Sequence, residues 1–236
     1  MTSAVPASAA QSSGAASSVA PSSATGMLDL TRFEAATLKR DPYDYLVLPN
    51  FIRSEVIERV VADFPRIDKA GSFPVNTLKP GPAFFELMAE LEGPVFRAAV
   101  ERKFGIDLTG RPTMITVRGH TDETDGRIHT DSKTKLITML VYFNDAWQGQ
   151  MGGRLRVLRS GTDLEDYAEE VEPAMGTLLA FRRSDHSWHG HKPFVGQRRA
   201  LQLNWVVSEQ VKQHEQRRHG VSAFFKRLFG KPGYAG

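Results

Sequence analysis

His129-Thr130-Asp131, then a four-residue link, then Leu136-Ile137-Thr138-Met139-Leu140-Val141-Tyr142-Phe143: on this stretch the reading of the whole 236-residue chain turns. The second part is a run of apolar and β-branched residues ending at Asn144, the signature of a buried strand. Side chains alternate across a strand, so Leu136, Thr138, Leu140 and Tyr142 share one face. By the same rule His129 and Asp131, two residues apart on extended backbone, project together. An imidazole and a carboxylate can therefore converge on one cation just ahead of a long apolar strand.

Outward from that strand, short apolar segments recur with turn residues between them. Tyr43 to Pro49, Met114 to Val117, Arg154 to Leu158, Thr177 to Phe181 and Ala200 to Val207 read as strands. The turn-rich link Gly119 to Gly126, the Gly-rich turn Asn144 to Gly153 and the turn Glu172 to Gly176 separate them. Such spacing indicates an antiparallel sandwich or barrel. Residues 66 to 82 read as a loop able to reach over the mouth of a site, and the acidic residues 161 to 170 as another loop. Three helices are expected before the barrel: one capped by Ser54 and running toward Pro65, then Pro82 to Leu91 and Pro94 to Phe104. No internal repeat is visible.

Composition bounds the function. With 41% hydrophobic and 24% charged residues the chain is an ordinary globular one. Its net charge of +3 is small, and the segment after Val207 carries Lys212, Arg217, Arg218, Lys226, Arg227 and Lys231 against Glu209 and Glu215. The remainder is close to neutral, which argues against a nucleic-acid-binding face. Zero cysteines excludes disulfides and thiolate metal sites and fits a cytoplasmic protein. No apolar run approaches the ~20 residues of a membrane span. Residues 1–26, rich in Ala and Ser and without charge or aromatic ring, read as a disordered tail, with Met27 a possible natural start. Residues 27–207 form the expected catalytic domain. Residues 208–236 form a basic helical extension in which Ala223 to Phe229 is amphipathic and docks on the outer sheet, or on a partner or membrane surface. Oligomeric state is not legible.

A third ligand completes the metal reading. His189 can supply it from another strand, giving two histidines and one carboxylate on one face of an octahedral ion with the other face open, the arrangement that suits non-haem Fe(II). A guanidinium shortly afterwards, at Arg198 or Arg199, makes sense as a clamp for an anionic co-substrate. Neighbours on a strand face opposite ways, so only one can point inward.

The ordered set of His129-Thr130-Asp131, Val141-Tyr142-Phe143-Asn144-Asp145 with Gly152-Gly153, and His189-Gly190-His191-Lys192-Pro193 followed by Gly196-Gln197-Arg198 resembles the 2-oxoglutarate- and Fe(II)-dependent oxygenase superfamily, prolyl 4-hydroxylase-like branch. The resemblance covers about Tyr45 to Val207. It implies a double-stranded β-helix, or jelly roll. His129, Asp131 and His189 would bind Fe(II), and Arg198 with Tyr142 would hold the distal carboxylate of 2-oxoglutarate. His189 is preferred over His186 and His191 because Pro193 then falls four residues later; His191 would stand behind the ligands and His186 face solvent. Arg199 is the alternative to Arg198, favoured by spacing back from Trp205. Trp188 is expected beneath the metal loop, and Arg118 and Arg127 at its rim.

The implied reaction is hydroxylation of an unactivated C–H bond of an amino-acid, peptidyl or other small-molecule substrate, with 2-oxoglutarate decarboxylated to succinate and CO2. O2 is the oxidant and ascorbate a stimulant. Asp131 itself argues for hydroxylation, since related halogenases lack that carboxylate. Two rivals stand beside this reading: a His/His/Asp zinc hydrolase and a non-enzymatic jelly-roll binding module. For the hydrolase a buried arginine after the last ligand has no use. For the binding module the His-x-Asp pair is incidental.

Overall fold

The structure, a computed structural model, describes Met1, residues 26–145, Trp147 and residues 152–214. The expected N-terminal tail, much of the Gly-rich turn after Asn144 and the amphipathic Ala223 to Phe229 segment lie outside the described residues.

Among the described residues nine strands form two antiparallel sheets. The larger contains β1 (Tyr45–Leu48), β2 (Phe73–Pro74), β3 (Thr113–Thr121), β4 (Lys135–Tyr142), β7 (Leu178–Arg182) and β9 (Gly196–Val206), in the order β1-β7-β4-β9-β3-β2. The smaller contains β5 (Leu155–Leu158), β6 (Tyr167–Val171) and β8 (His189–Gly190), in the order β6-β5-β8. Beyond β8 an isolated antiparallel bridge joins His129 to His189. This mostly β architecture of two facing sheets with supporting helices is the expected jelly roll.

The two faces of the large sheet do different work. Ile137, Met139 and Val141 of β4, with Leu201, Leu203 and Trp205 of β9, bury against α1 (Leu30–Ala35), α2 (Ser54–Ala62), α3 (Pro82–Leu91) and α4 (Pro94–Phe104) in the larger core. Proline fits the first turn of α3 and α4 because its missing N–H is unpaired there in any case. At the other end of α4, Gly105 takes the left-handed conformation (φ 60°) that closes a helix. The opposite sheet face carries Tyr45, Tyr142, Phe181 and Ala200 into a smaller core shared with Leu155, Val157 and Val171. Between the sheets, beside that smaller core, a polar cavity remains.

Several local expectations are corrected. Ser54 is the first residue of α2 and not its cap; the cap is Arg53, which makes no side-chain hydrogen bond. The loop before α3 contains β2 and a 3-10 turn at Val75–Thr77. The acidic segment is not loop throughout, since Tyr167–Val171 is a strand of the smaller sheet. Its carboxylates are neutralised from the side: Arg156 Nε donates to Glu170 at 2.8 Å and Lys39 Nζ to Glu169 at 2.6 Å.

Candidate active site

Asp side chains build the approach to the site. In the link after β3, Asp122 Oδ1 accepts from Thr124 N (2.9 Å) and Asp125 Oδ2 accepts from Asp122 N (3.0 Å), tightening the chain into a turn. Asp125 Oδ1 meanwhile pairs with Arg118 Nη1 at 2.6 Å. The turn closes at Gly126, whose φ of 89° and whose position against the His191 ring, 2.4 Å from where a Cβ would sit, both require glycine. Extended backbone follows and delivers His129 beside β8.

His129 and His189 exchange both backbone hydrogen bonds at 3.0 Å. Directly opposed residues of such a pair present their side chains on one face, and the two imidazole centroids stand 4.3 Å apart. Asp131 joins them, with one donor atom from each of the three residues within 4.8 Å of the others. Among the described residues no other group of three or more such side chains converges this way.

The hydrogen bonds around the histidines fix which nitrogen is available. His129 Nδ1 lies 2.8 Å from the carbonyl of Arg127, and His189 Nδ1 lies 3.0 Å from that of Ser187. A carbonyl only accepts, so Nδ1 donates in both rings and Nε2 is the nitrogen left to ligate. Burial holds His189 neutral, lowering its pKa to about 4 against the opposing pull of Asp131. For Asp131, burial works to raise the pKa, but the Lys135 ammonium, His189 and the Thr138 hydroxyl outweigh it and bring it down to about 2. Two imidazole Nε2 atoms and one ionised carboxylate oxygen make a donor set that fits Fe(II).

Behind Asp131 lies a polar chain that the sequence reading did not identify. Thr138 Oγ1 donates to Asp131 Oδ2 at 2.5 Å, Asn204 Nδ2 donates to Thr138 Oγ1 at 2.8 Å, and Gln202 Nε2 donates to Asn204 Oδ1 at 3.1 Å. Strand register creates it, because Thr138 pairs with Asn204 and Leu140 with Gln202. The other oxygen, Oδ1, is held by Lys135 Nζ at 2.6 Å. A signal was present: Gln202 and Asn204 share the parity of Arg198 and interrupt the otherwise apolar run Ala200 to Val207, and Thr138 has the parity of Tyr142.

These groups line a cavity of about 250 Å³, together with Ser72 from the loop before β2. Arg198 lies in its wall, buried, with Nε donating to Gly153 O at 2.7 Å and Nη2 3.5 Å from the Tyr142 hydroxyl. It forms no ion pair among the described residues, and burial lowers its pKa while Tyr142 opposes that. Arg199 faces the helices, its guanidinium 5.7 Å from the Phe64 ring centroid. His191 is buried at the cavity wall, and His186 and Arg127 are exposed. The Trp188 ring lies against Gly161 of the loop between β5 and β6.

Comparison with known proteins follows the same outline. The family model described as the 2OG-Fe(II) oxygenase superfamily matches residues 115–207. No curated protein matches. Among solved structures, a prolyl-4-hydroxylase from Pseudomonas putida superposes with a TM-score of 0.55 at 18% identity, covering 75% of this chain and 92% of that one. A prolyl 4-hydroxylase structure from Phytophthora capsici gives a TM-score of 0.52 at 16% identity, covering 86% and 76%. At these identities the two structures speak for the fold.

Proposed function

We infer that this chain, whose residues 115–207 match the 2OG-Fe(II) oxygenase superfamily, is a member of it and hydroxylates an unactivated C–H bond of an amino-acid, peptidyl or other small-molecule substrate. Family membership sets the cofactors as Fe(II), 2-oxoglutarate and O2. Nε2 of His129, Nε2 of His189 and a carboxylate oxygen of Asp131 would hold the iron. Bound there, Fe(II) supplies the O2 activation that no amino-acid side chain can perform.

The protein's own part is binding and orientation. Arg198, buried and without a carboxylate partner among the described residues, is the group that takes the distal carboxylate of 2-oxoglutarate, with the Tyr142 hydroxyl alongside. The backbone carbonyls on the two Nδ1 atoms fix ring orientation, and Thr138 fixes the plane of the carboxylate. The smaller core of Tyr45, Leu155 and Phe181 excludes water from one side of the site. We place the protein in the cytoplasm, on the ground that it has no cysteine.

A single observation carries this reading: three donor atoms within 4.8 Å of one another, in one cavity with a buried guanidinium that has no carboxylate partner among the described residues. The test is an anaerobic titration of the full chain with Fe(II) and 2-oxoglutarate. The weak visible charge-transfer band of the chelate should appear, and succinate should form once O2 and substrate are supplied. Asp131→Ala should lose both. A native protein that binds zinc but neither develops the band nor releases succinate would return the site to hydrolytic chemistry.

A further inference from the structure

Among the described residues the cavity wall contains five charged side chains: Arg118, Asp125, Asp131, Lys135 and Arg198. Arg118 and Asp125 neutralise each other at 2.6 Å, as do Lys135 and Asp131 at 2.6 Å. Only Arg198 is left over. Loading the site changes the pairing. The divalent ion and a dianionic co-substrate cancel in charge, so the cavity still holds one positive charge in excess, but its location moves. Arg198 acquires the distal carboxylate, and Asp131 gives its charge to the metal.

Lys135 is then the cation without a counterion. Lys135 holds Oδ1 of Asp131 and Thr138 holds Oδ2, so whichever oxygen ligates, the carboxylate's charge goes to the metal and no longer balances the ammonium alone. Whether the ammonium keeps a shared hydrogen bond or swings away, its charge is no longer neutralised. The side chain is 13% exposed, so water alone would solvate it poorly, and an ammonium so enclosed calls for an anion. That space is the cavity in which substrate must sit.

We propose that Lys135 is a specificity residue that pairs with a carboxylate of the substrate, so that the enzyme acts on an anionic small molecule or a free chain end bearing one negative charge near the carbon to be hydroxylated. This rests on the reading of the site as an Fe(II) and 2-oxoglutarate centre.

The experiment uses the full chain loaded anaerobically with Co(II) and 2-oxoglutarate. Matched pairs of probes, each free L-amino acid and its primary amide, are titrated while the visible Co(II) spectrum is followed, a readout independent of turnover. Among the members that perturb the spectrum, acids should bind at least about tenfold more tightly than their amides, a factor expected for one charged hydrogen bond. Lys135→Met should erase that preference while 2-oxoglutarate still binds, and Lys135→Arg should retain it. Amides binding as well as acids, no acid perturbing the spectrum, or a preference that survives in Lys135→Met each overturn the proposal. If 2-oxoglutarate itself fails to alter the Fe(II) or Co(II) spectrum, the functional reading falls first and this inference with it.

Discussion

Arg198 and Arg199 are adjacent and carry the same group, yet one is buried in a cavity wall and the other lies against Phe64 on the helix side of the sheet. Parity along β9 does the sorting: Ala200, Gln202 and Asn204 face the cavity side, and Leu201, Leu203 and Trp205 the larger core. Arg198→Met should therefore weaken 2-oxoglutarate binding by about 100-fold, the cost of one bidentate charged contact at ~1.5–3 kcal/mol. Arg199→Met should change it less than about threefold. Equal losses in isothermal titration would show that the clamp is misplaced. A second residue-scale prediction concerns Thr138. Thr138→Val keeps the shape but leaves Asp131 Oδ2 and Asn204 Nδ2 without their mutual partner. Metal affinity should fall about 10-fold, within the range seen for groups that orient a ligand, and Thr138→Ser should restore it. The choice between the arginines was not available from the sequence, because two spacing rules pointed opposite ways.

The elements were legible where hydrophobic period and punctuation agreed. Pro82 and Pro94 mark helix starts that the structure places at the same residues, and β4 differs from the apolar run by one residue at each end. β6 was hidden because Tyr167-Ala168-Glu169-Glu170-Val171 has no clean alternation. A register irregularity where it meets Val157 and Leu158 of β5 spoils the period of two, and two salt bridges supply what apolar side chains do elsewhere. The polar chain from Asp131 to Gln202 was hidden for another reason, since it exists only across the register of β4 with β9. What ties β9 to the helical layer is Trp205, 1% exposed and with its ring centroid 6.2 Å from that of Phe96 on α4. Trp205→Ala should destabilise the fold by ~3–5 kcal/mol through the cavity it leaves. Urea denaturation followed by circular dichroism measures this. A loss below 1 kcal/mol would mean that the helices contribute little to holding the large sheet.

At the scale of the whole molecule, the larger core and the site lie on opposite faces of one sheet, so folding and metal binding are linked without being identical. The metal-free protein should stay folded at neutral pH, because Phe33, Phe96, Leu201 and Trp205 bury without help from the site. It should nevertheless be sensitive to acid. Burial depresses both His189 and His191 from 6.5 to about 4, so between these values the unfolded chain binds protons that the folded chain refuses. Their contribution is complete above about pH 6.5 and drains as pH falls toward 4, on the order of 3 kcal/mol for each ring. Asp131, depressed from 3.8 to about 2, has the same sign but acts only in the lower window. Denaturant midpoints of chelator-treated protein should thus drop between pH 7 and pH 4 and shift least in a His191→Gln variant, provided that variant folds. Added Co(II) at about 100 times its Kd should raise stability by ~2.7 kcal/mol at pH 7.5. Because both rings must give Nε2 as a lone pair, that gain should shrink on acidification and be absent from Asp131→Ala at every pH. A metal-induced gain that persisted in the variant would place the ion somewhere other than between β8 and the segment that precedes β4.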